Sequence, residues 1–191
     1  MGHTLLELLV VLVILGMVAR IAIPQTEPAA SLRLDAAALD VAQALRYAQS
    51  AALRTGAYHL VRCDTAGGVI AITRLDLTVK PPVPDLTIAV LHPVDKRDYK
   101  IVFNSASSSS SSVSSPVTQS AALVSCAFTF SDKTTLAQVA FGDDGAPVNL
   151  IGKAAADIKA LTGTGQIVLG AGRQQRTIAV SAPSGRVTIA P

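Results

Sequence analysis

The chain has no tryptophan, and its 191 residues include only three tyrosines and four phenylalanines. Proteins that hold single-stranded nucleic acid without sequence preference stack the bases on aromatic side chains. Such a stacking surface is therefore poorly supplied in this chain. The net charge of +3 is also small, so charge alone does not indicate a nucleic-acid partner.

Sequence motifs for common catalytic chemistry are missing as well. The chain has neither a GxxxxGK[ST] phosphate-binding loop nor a GxSxG nucleophile elbow. Most serines lie in low-complexity sequence, and no arrangement marks a nucleophile with its base. The three histidines, His3, His59 and His92, show no metal-ligand spacing with the two cysteines. We therefore expect a protein that is not an enzyme and that uses neither a metal nor a cofactor.

A long apolar run dominates the N-terminal end, and no lysine or arginine precedes it. The segment from Leu5 to Ile23 covers about 28 Å as a helix, enough to cross the hydrocarbon core of a bilayer. An ordinary secretory signal peptide would begin with basic residues. Glu7 lies near the start of the run, where a carboxylate in hydrocarbon usually has a partner because its burial costs about 2.5 kcal/mol or more. A cleaved export signal and a plain membrane anchor are the alternatives.

The chain begins with Met1, followed by the run Gly2-His3-Thr4-Leu5-Leu6-Glu7 and the apolar segment. This pattern resembles the class III signal of type IV pilins and type II secretion pseudopilins. The resemblance implies that prepilin peptidase cuts after Gly2 and that His3 becomes the N-methylated first residue of the mature chain. Residues 1–2 are then the remnant of a leader. Glu7 falls at the fifth mature position, where it would pair with the N-terminal amine of a neighbouring subunit during filament assembly.

The apolar helix is expected to lead into a second helix. Residues 3–24 form the predicted transmembrane and filament-core helix, and residues 25–191 form a globular domain. Pro24 removes a helix hydrogen bond and disfavours helix at the preceding residue, so we expect a kink there. The second helix is predicted over Ala29–Thr55, since small and medium apolar residues recur at steps of three and four. Gly56 is a typical helix stop.

The spacing of apolar residues changes after the second helix, where short runs rich in valine, isoleucine and threonine alternate with turn signals. This order predicts an α+β fold, in which one long kinked N-terminal helix, its lower half transmembrane, packs on antiparallel sheets in a pilin-like manner. Strands are predicted at Ala57–Cys63, Val69–Arg74, Leu86–Leu91, Tyr99–Phe103, Leu123–Phe130, Leu136–Phe141, Gln166–Leu169, Arg176–Ser181 and Arg186–Ile189. The serine-rich stretch Ser105–Ser120 is predicted to be a surface loop, with glycosylation or ordering on a neighbouring subunit as functional alternatives.

Three further segments carry the resemblance into the globular domain. They are Ala44–Gly56, Val139–Gly145 and Val180–Val187, which look like the late helix, a strand with its turn, and the closing hairpin of H-class minor pseudopilins and FimT-type minor pilins, the GspH/FimT family. Within the second segment, two aspartates stand in a glycine-rich turn. Because no EF-hand spacing accompanies them, a turn is favoured over a calcium site.

The resemblance implies a structural role in the periplasmic pseudopilus of a type II secretion system, where a minor pseudopilin helps to initiate or connect the filament tip. The implied partners are other minor pseudopilins, the major pseudopilin, the inner-membrane assembly platform, prepilin peptidase and the inner membrane itself. The implied location is the bacterial inner membrane, crossed once, with the C-terminal domain in the periplasm until the subunit joins the filament.

The alternative function is that of a FimT-like minor type IV pilin, active in pilus assembly or in DNA uptake during natural transformation. Those proteins carry a GRxR motif in the last hairpin, and the run Gly185-Arg186-Val187-Thr188 keeps one of its two arginines. The C-terminal part is basic, and Arg173, Arg176 and Arg186 are its candidate DNA contacts. A solvated positive face without a ligand is the competing interpretation.

The two cysteines, Cys63 and Cys126, each lie in a strand-like run. A domain exported to an oxidising periplasm can form one disulfide from them. Two buried thiols in the core are the alternative, and both stay open on the sequence alone.

Overall fold

The computed structural model describes residues 5–21, 27–78, 82–85, 88–94, 96–103, 121–150 and 158–190. Helix α1 runs over Leu5–Ile21 and helix α2 over Glu27–Thr55. The predicted helix Ala29–Thr55 is confirmed by α2. Gly56 follows with a positive φ of 62°, and its amide donates to the carbonyl oxygen of Ala52. Gly2, His3 and the predicted kink at Pro24 lie outside the described residues.

The described residues also form twelve strands, and every strand pair is antiparallel. In chain order they are β1 (His59–Asp64), β2 (Val69–Asp76), β3 (Val83–Pro84), β4 (Lys100–Val102), β5 (Ala122–Thr129), β6 (Thr135–Leu136), β7 (Gln138–Phe141), β8 (Pro147–Asn149), β9 (Lys159–Ala160), β10 (Thr164–Ala171), β11 (Gln174–Ser181) and β12 (Arg186–Ala190).

The strands form two sheets. The first has the order β3-β2-β1-β7-β8-β9, with β4 also paired to β2, and the second has the order β12-β11-β10-β5-β6. Helix α2 contacts strands of both sheets, chiefly β1 in the first and β10, β11 and β12 in the second. The architecture is therefore α+β, with a long helix packed on antiparallel sheets, as the sequence predicts.

The main core lies between α2 and the inner faces of the sheets. The buried stripe of α2 is mostly alanine, which lets the helix approach the strands closely. Its larger members, Leu34, Val41 and Leu45, are fully buried, and each contributes about 1.5–3 kcal/mol through removal of its side chain from water. Phe103, Phe128, Phe130, Phe141, Ile167, Leu169, Ile178 and Val180 meet this stripe from the β side.

The segment between β2 and β4 departs from the prediction. No strand covers the described residues 88–91 of the predicted run Leu86–Leu91, where only Leu91 forms an isolated bridge with Asp98. The strand that pairs with the end of β2 is instead β3, because Leu75 and Asp76 lie opposite Pro84 and Val83. Apolar residues alone predicted a strand here, but a strand also requires hydrogen bonding to a neighbouring strand, and that pairing is a long-range property.

Candidate assembly surface

The middle of α1, from Leu8 to Leu15, is exposed and apolar on every side. The eight consecutive residues from Leu8 to Leu15 are all leucine, valine or isoleucine, and each is 45–61% exposed. Successive helical residues point about 100° apart, so eight of them cover the whole circumference. A helix that is apolar all round is normally covered by other protein or by lipid. None of the helices in the described part of the chain is both long enough and apolar enough to span a membrane.

Glu7 lies in the first turn of α1 and is exposed. A carboxylate in this position is favoured by the partial positive charge at the start of a helix. It is the one acidic residue of α1, so any apolar partner that covers the helix must also receive this charge. Glu7, the predicted assembly residue, therefore lies at the N-terminal end of the exposed apolar stretch of α1.

A second cluster connects the three segments that carry the family resemblance. The Gln49 amide nitrogen on α2 donates to the carbonyl oxygen of Gly145, at 2.9 Å, and to that of Ser184, at 2.8 Å. These acceptors belong to the β7–β8 turn of the first sheet and the β11–β12 turn of the second. We call this arrangement the Gln49 clamp. It fixes the two turns against the late part of α2, and sequence reasoning did not identify it.

Gly185 is required for the Gln49 clamp to close. Its φ of 68° lies in the left-handed region, and a Cβ atom there would lie 2.6 Å from the Gln49 amide nitrogen and 2.9 Å from the Gly145 carbonyl oxygen. Arg46, one turn earlier on α2, donates to the carbonyl oxygen of Val187 at 3.1 Å. Both contacts hold the closing hairpin to α2. Residues in the segments that carry the family resemblance therefore stabilise the packing of the domain.

The structure does not bring the three candidate DNA-contacting arginines together. Arg176 faces the core side and its guanidinium pairs with the carboxylate of Asp35 on α2. Arg173 and Arg186 are exposed at opposite ends of β11, roughly 26 Å apart at about 3.3 Å per strand residue. The three arginines therefore do not form one contiguous patch, and their role as DNA contacts stays a prediction.

Cys63 and Cys126 are joined in a disulfide with their Cα atoms 6.4 Å apart. Cys63 lies on β1 and Cys126 on β5, so the bond connects the two sheets across the core. The two sheets are thereby tied by a covalent link, and both also contact α2.

A polar cluster lies where the segment before β4 meets α2. The Tyr47 and Tyr99 rings are 5.0 Å apart, and the His92 ring meets Tyr99 edge-on at 4.8 Å. The Tyr47 hydroxyl donates to the carbonyl oxygen of Leu91. Burial raises the pKa of the Tyr99 hydroxyl to about 12, with smaller contributions from Tyr47 and Asp40. The cluster fastens this segment to the helix.

The paired aspartates serve a turn, as the sequence predicts. The Asp144 carboxylate accepts the amide of Ala146 at 2.9 Å, and Gly145 has a φ of 77°. Among the described residues, no group of three or more histidines, cysteines or acids could hold a metal ion.

No family model matches the chain, and no curated protein matches it in sequence. Among solved structures, the type IV minor pilin FimU of Pseudomonas aeruginosa matches with a TM-score of 0.40 and 14% sequence identity. The match covers 88% of this chain and 93% of that chain. So low a score does not establish a shared fold, and the architecture of this chain is defined by its own helices and strands.

Proposed function

We propose that this chain is a minor pilin-like subunit that enters a filament through its N-terminal helix and has a structural, non-enzymatic role. The observation that carries the proposal is the stretch Leu8–Leu15 of α1, which is apolar around its whole circumference and exposed, with Glu7 in the first turn of the same helix. Covering the eight residues from Leu8 to Leu15 would contribute on the order of 10 kcal/mol. A membrane holds such a helix before assembly, and a bundle of neighbouring helices covers it afterwards.

Glu7 supplies the specificity that an apolar helix lacks. A carboxylate inside an apolar bundle is costly unless it meets a cation. The proposed cation is the N-terminal amine of a neighbouring subunit, produced when prepilin peptidase cuts after Gly2 and exposes His3 for methylation. This pairing would fix the axial position of each new subunit. Pro24 is proposed to let the helix loosen as it packs.

Among filament systems we propose the pseudopilus of a type II secretion system, with this chain near its tip as a minor pseudopilin. Its partners would be the major pseudopilin, other minor pseudopilins and the inner-membrane assembly platform. The globular domain would face the periplasm, an oxidising compartment that suits the Cys63–Cys126 disulfide. The Gln49 clamp and the disulfide support this role, because they make the domain a rigid body that α1 can carry into a filament.

The test is deletion of the gene in its native host, with secreted proteins and DNA uptake scored in parallel. Loss of exported proteins with normal transformation is expected. Complementation with Glu7→Ala should fail, whereas Asp143→Asn, which alters an exposed turn carboxylate far along the chain, should restore secretion. Secretion by the Glu7 variant at the wild-type level would contradict the proposed pairing.

A FimT-like minor type IV pilin that takes part in DNA uptake is the second candidate. The observation in its favour is Arg186, exposed beside the closing turn. The positions of the other two arginines support this candidate less well, because Arg176 pairs with Asp35 and Arg173 lies at the other end of β11. Normal secretion with lost transformation in the deletion strain would favour this candidate, and Arg186→Ala would then be the next variant.

A further inference from the structure

A hairpin-like segment between β3 and β4 lies against α2. Its described residues are 90–94 and 96–99, and we call them the strap. The amide of Tyr99 donates to the carbonyl oxygen of Val90 at 2.8 Å, and a second backbone hydrogen bond joins the two arms nearer the tip. The strap is therefore a local unit with hydrogen bonds of its own.

Tyrosine side chains attach the strap to α2. The Tyr47 ring on α2 lies 5.0 Å from the Tyr99 ring, and the Tyr47 hydroxyl donates to the carbonyl oxygen of Leu91 at 3.1 Å. The amide of Ile72 on β2 donates to the carbonyl oxygen of Tyr99 at 3.0 Å. Tyr99 is buried, whereas most of the strap is exposed. The base of the strap at Tyr99 is thus its most firmly held part.

His92 is a titratable side chain at this attachment. Its ring meets the Tyr99 ring edge-on at 4.8 Å, and its Nδ1 accepts the amide of Val94 at 3.4 Å. An imidazole nitrogen accepts a hydrogen bond only while it carries no proton. Histidine ordinarily changes its charge between pH 5 and 8. Protonation of His92 therefore costs the contact with Val94 at the tip of the strap.

Asp40 on α2 has the opposite effect at the base of the strap. It lies two helical turns before Tyr47, on the same face of the helix. Burial raises the pKa of the Asp40 carboxyl, and a positive charge on His92 lowers it. The ionised carboxylate is therefore costly in this half-buried place, and protonated His92 offsets the cost. When His92 loses its proton, Asp40 loses that compensation.

Other titratable and charged groups around the strap give a constant background. Burial raises the pKa of Tyr99 to about 12, so its hydroxyl stays neutral. Tyrosine, arginine, lysine and aspartate ordinarily keep one charge state between pH 5 and 8. The charged residues on the strap and on the elements around it are Arg33 on α2, Arg74 on β2, Lys100 on β4, and Lys96, Arg97 and Asp98 on the strap itself.

We propose that the strap is a pH-sensitive fastening on α2, held most firmly at its base when His92 is protonated beside ionised Asp40, and loosened when His92 becomes neutral. In mildly acidic solution the charge pair tightens the base while the tip at Val94 is released. Toward about pH 8 the base loosens, and the face of α2 around Asp40 and Tyr47 becomes more accessible. This device does not depend on the proposed filament function, because every group in it belongs to one chain.

The test is NMR of the full chain in detergent micelles, with amide hydrogen exchange measured at about pH 5.5 and about pH 8 and corrected for the intrinsic exchange rate. Protection of the Tyr99 and Ile72 amides should be about threefold higher at the lower pH, the factor expected of a partly exposed charge pair. The Val94 amide resonance should shift on acidification as its hydrogen bond is lost. Equal protection of the strap base at both pH values would overturn the proposal.

The same spectra contain an internal control. Burial lowers the pKa of His59, so protonation of that residue weakens the whole fold as the pH falls. Amides of β10 and β11 report this global effect and should show no gain of protection in acid. A gain at the base of the strap therefore has the opposite sign to the effect of His59. A gain of the same size in β10 and β11 would contradict a local device.

Two variants assign the effect to its charges. His92→Asn keeps an oxygen that can accept the Val94 amide but cannot be protonated, and Asp40→Asn removes the carboxylate while both tyrosine rings remain. Each should abolish the pH dependence of strap protection, and the β10 and β11 amides show that each variant is folded. Asp143→Asn, at an exposed carboxylate of the β7–β8 turn, is the matched control and should keep it. A pH dependence that persists in either strap variant would refute the proposal.

Discussion

Replacement of Gly185 by alanine separates the cost of a strained backbone from the cost of breaking the Gln49 clamp. The new Cβ would lie 2.6 Å from the Gln49 amide nitrogen, far closer than any normal contact. A left-handed conformation costs a non-glycine residue about 1–2 kcal/mol. The two hydrogen bonds of Gln49 are worth about 1 kcal/mol each. Gly185→Ala should therefore lower the free energy of unfolding by about 2–4 kcal/mol.

Gly172→Ala is the matched control. Gly172 also has a positive φ, 61°, but a Cβ atom there would meet nothing within 4 Å. Its replacement should cost about 1 kcal/mol, because only the backbone is strained. For a chain of this size 1 kcal/mol shifts the melting temperature by about 2–4 °C. We expect a shift of about 2–4 °C for Gly172→Ala and about 5–15 °C for Gly185→Ala.

Calorimetry of both variants in the wild-type and Gln49→Ala backgrounds gives the decisive comparison. In the Gln49→Ala background, Gly185→Ala should lose part of its penalty, because the amide nitrogen that the methyl group displaces is already gone. Equal melting shifts for the two glycine variants, or an unchanged penalty in the Gln49→Ala background, would refute the reasoning that the clamp stabilises the domain.

Three other perturbations test the remaining contacts. Arg176→Ala should cost about 1 kcal/mol, with a comparable coupling energy to Asp35 in a double-mutant cycle by urea unfolding; zero coupling would show that the pair is incidental. Burial lowers the pKa of His59 below its ordinary value of 6.5, so stability should be full above pH 6.5 and fall as the pH drops below it. The melting temperature of the His59→Asn variant, whose side chain can still donate to the Ala57 carbonyl oxygen, should fall less steeply below pH 6.5. An unchanged fall would mean that other groups cause this loss of stability. Breaking the disulfide between Cys63 and Cys126, which are 63 residues apart in sequence, should lower the free energy of unfolding by up to about 4 kcal/mol. Reduction of the wild type and replacement of both cysteines by alanine should lower the melting temperature equally in calorimetry. No loss of stability in either case would mean that the bond does not form.

Local patterns predicted the parts of the fold that local physics controls. Helix α2 follows from the apolar period of its stripe, and Gly56 ends it as expected. Most long strands follow from their β-branched residues. The described residues 88–91 of the strand predicted over Leu86–Leu91 form no strand. Strands β8 and β9 were missed, since two or three residues carry too short a pattern. These short strands form only where the chain pairs with the edge of an existing sheet, and such pairing is a long-range property.

The site shows the same division. Glu7 and the apolar run were evident because a lone acid in such a run is a local signal. The Gln49 clamp was not, since glutamine on a helix carries no mark of two carbonyl partners almost 100 and 135 residues away. The placement of the arginines was not evident from the sequence for a related reason. Composition placed Arg173, Arg176 and Arg186 together, whereas the direction of β11 and the position of Asp35 decide where each side chain lies.

The bond between Cys63 and Cys126 has a consequence for the integrity of the chain. Every peptide bond between these two residues lies inside a covalent ring, and that ring includes the whole serine-rich stretch 105–120. A single proteolytic cut inside the ring leaves both fragments attached, so α1 and the C-terminal hairpin stay parts of one molecule. The chain could thus be nicked in that stretch and still migrate as one species until a reductant is added.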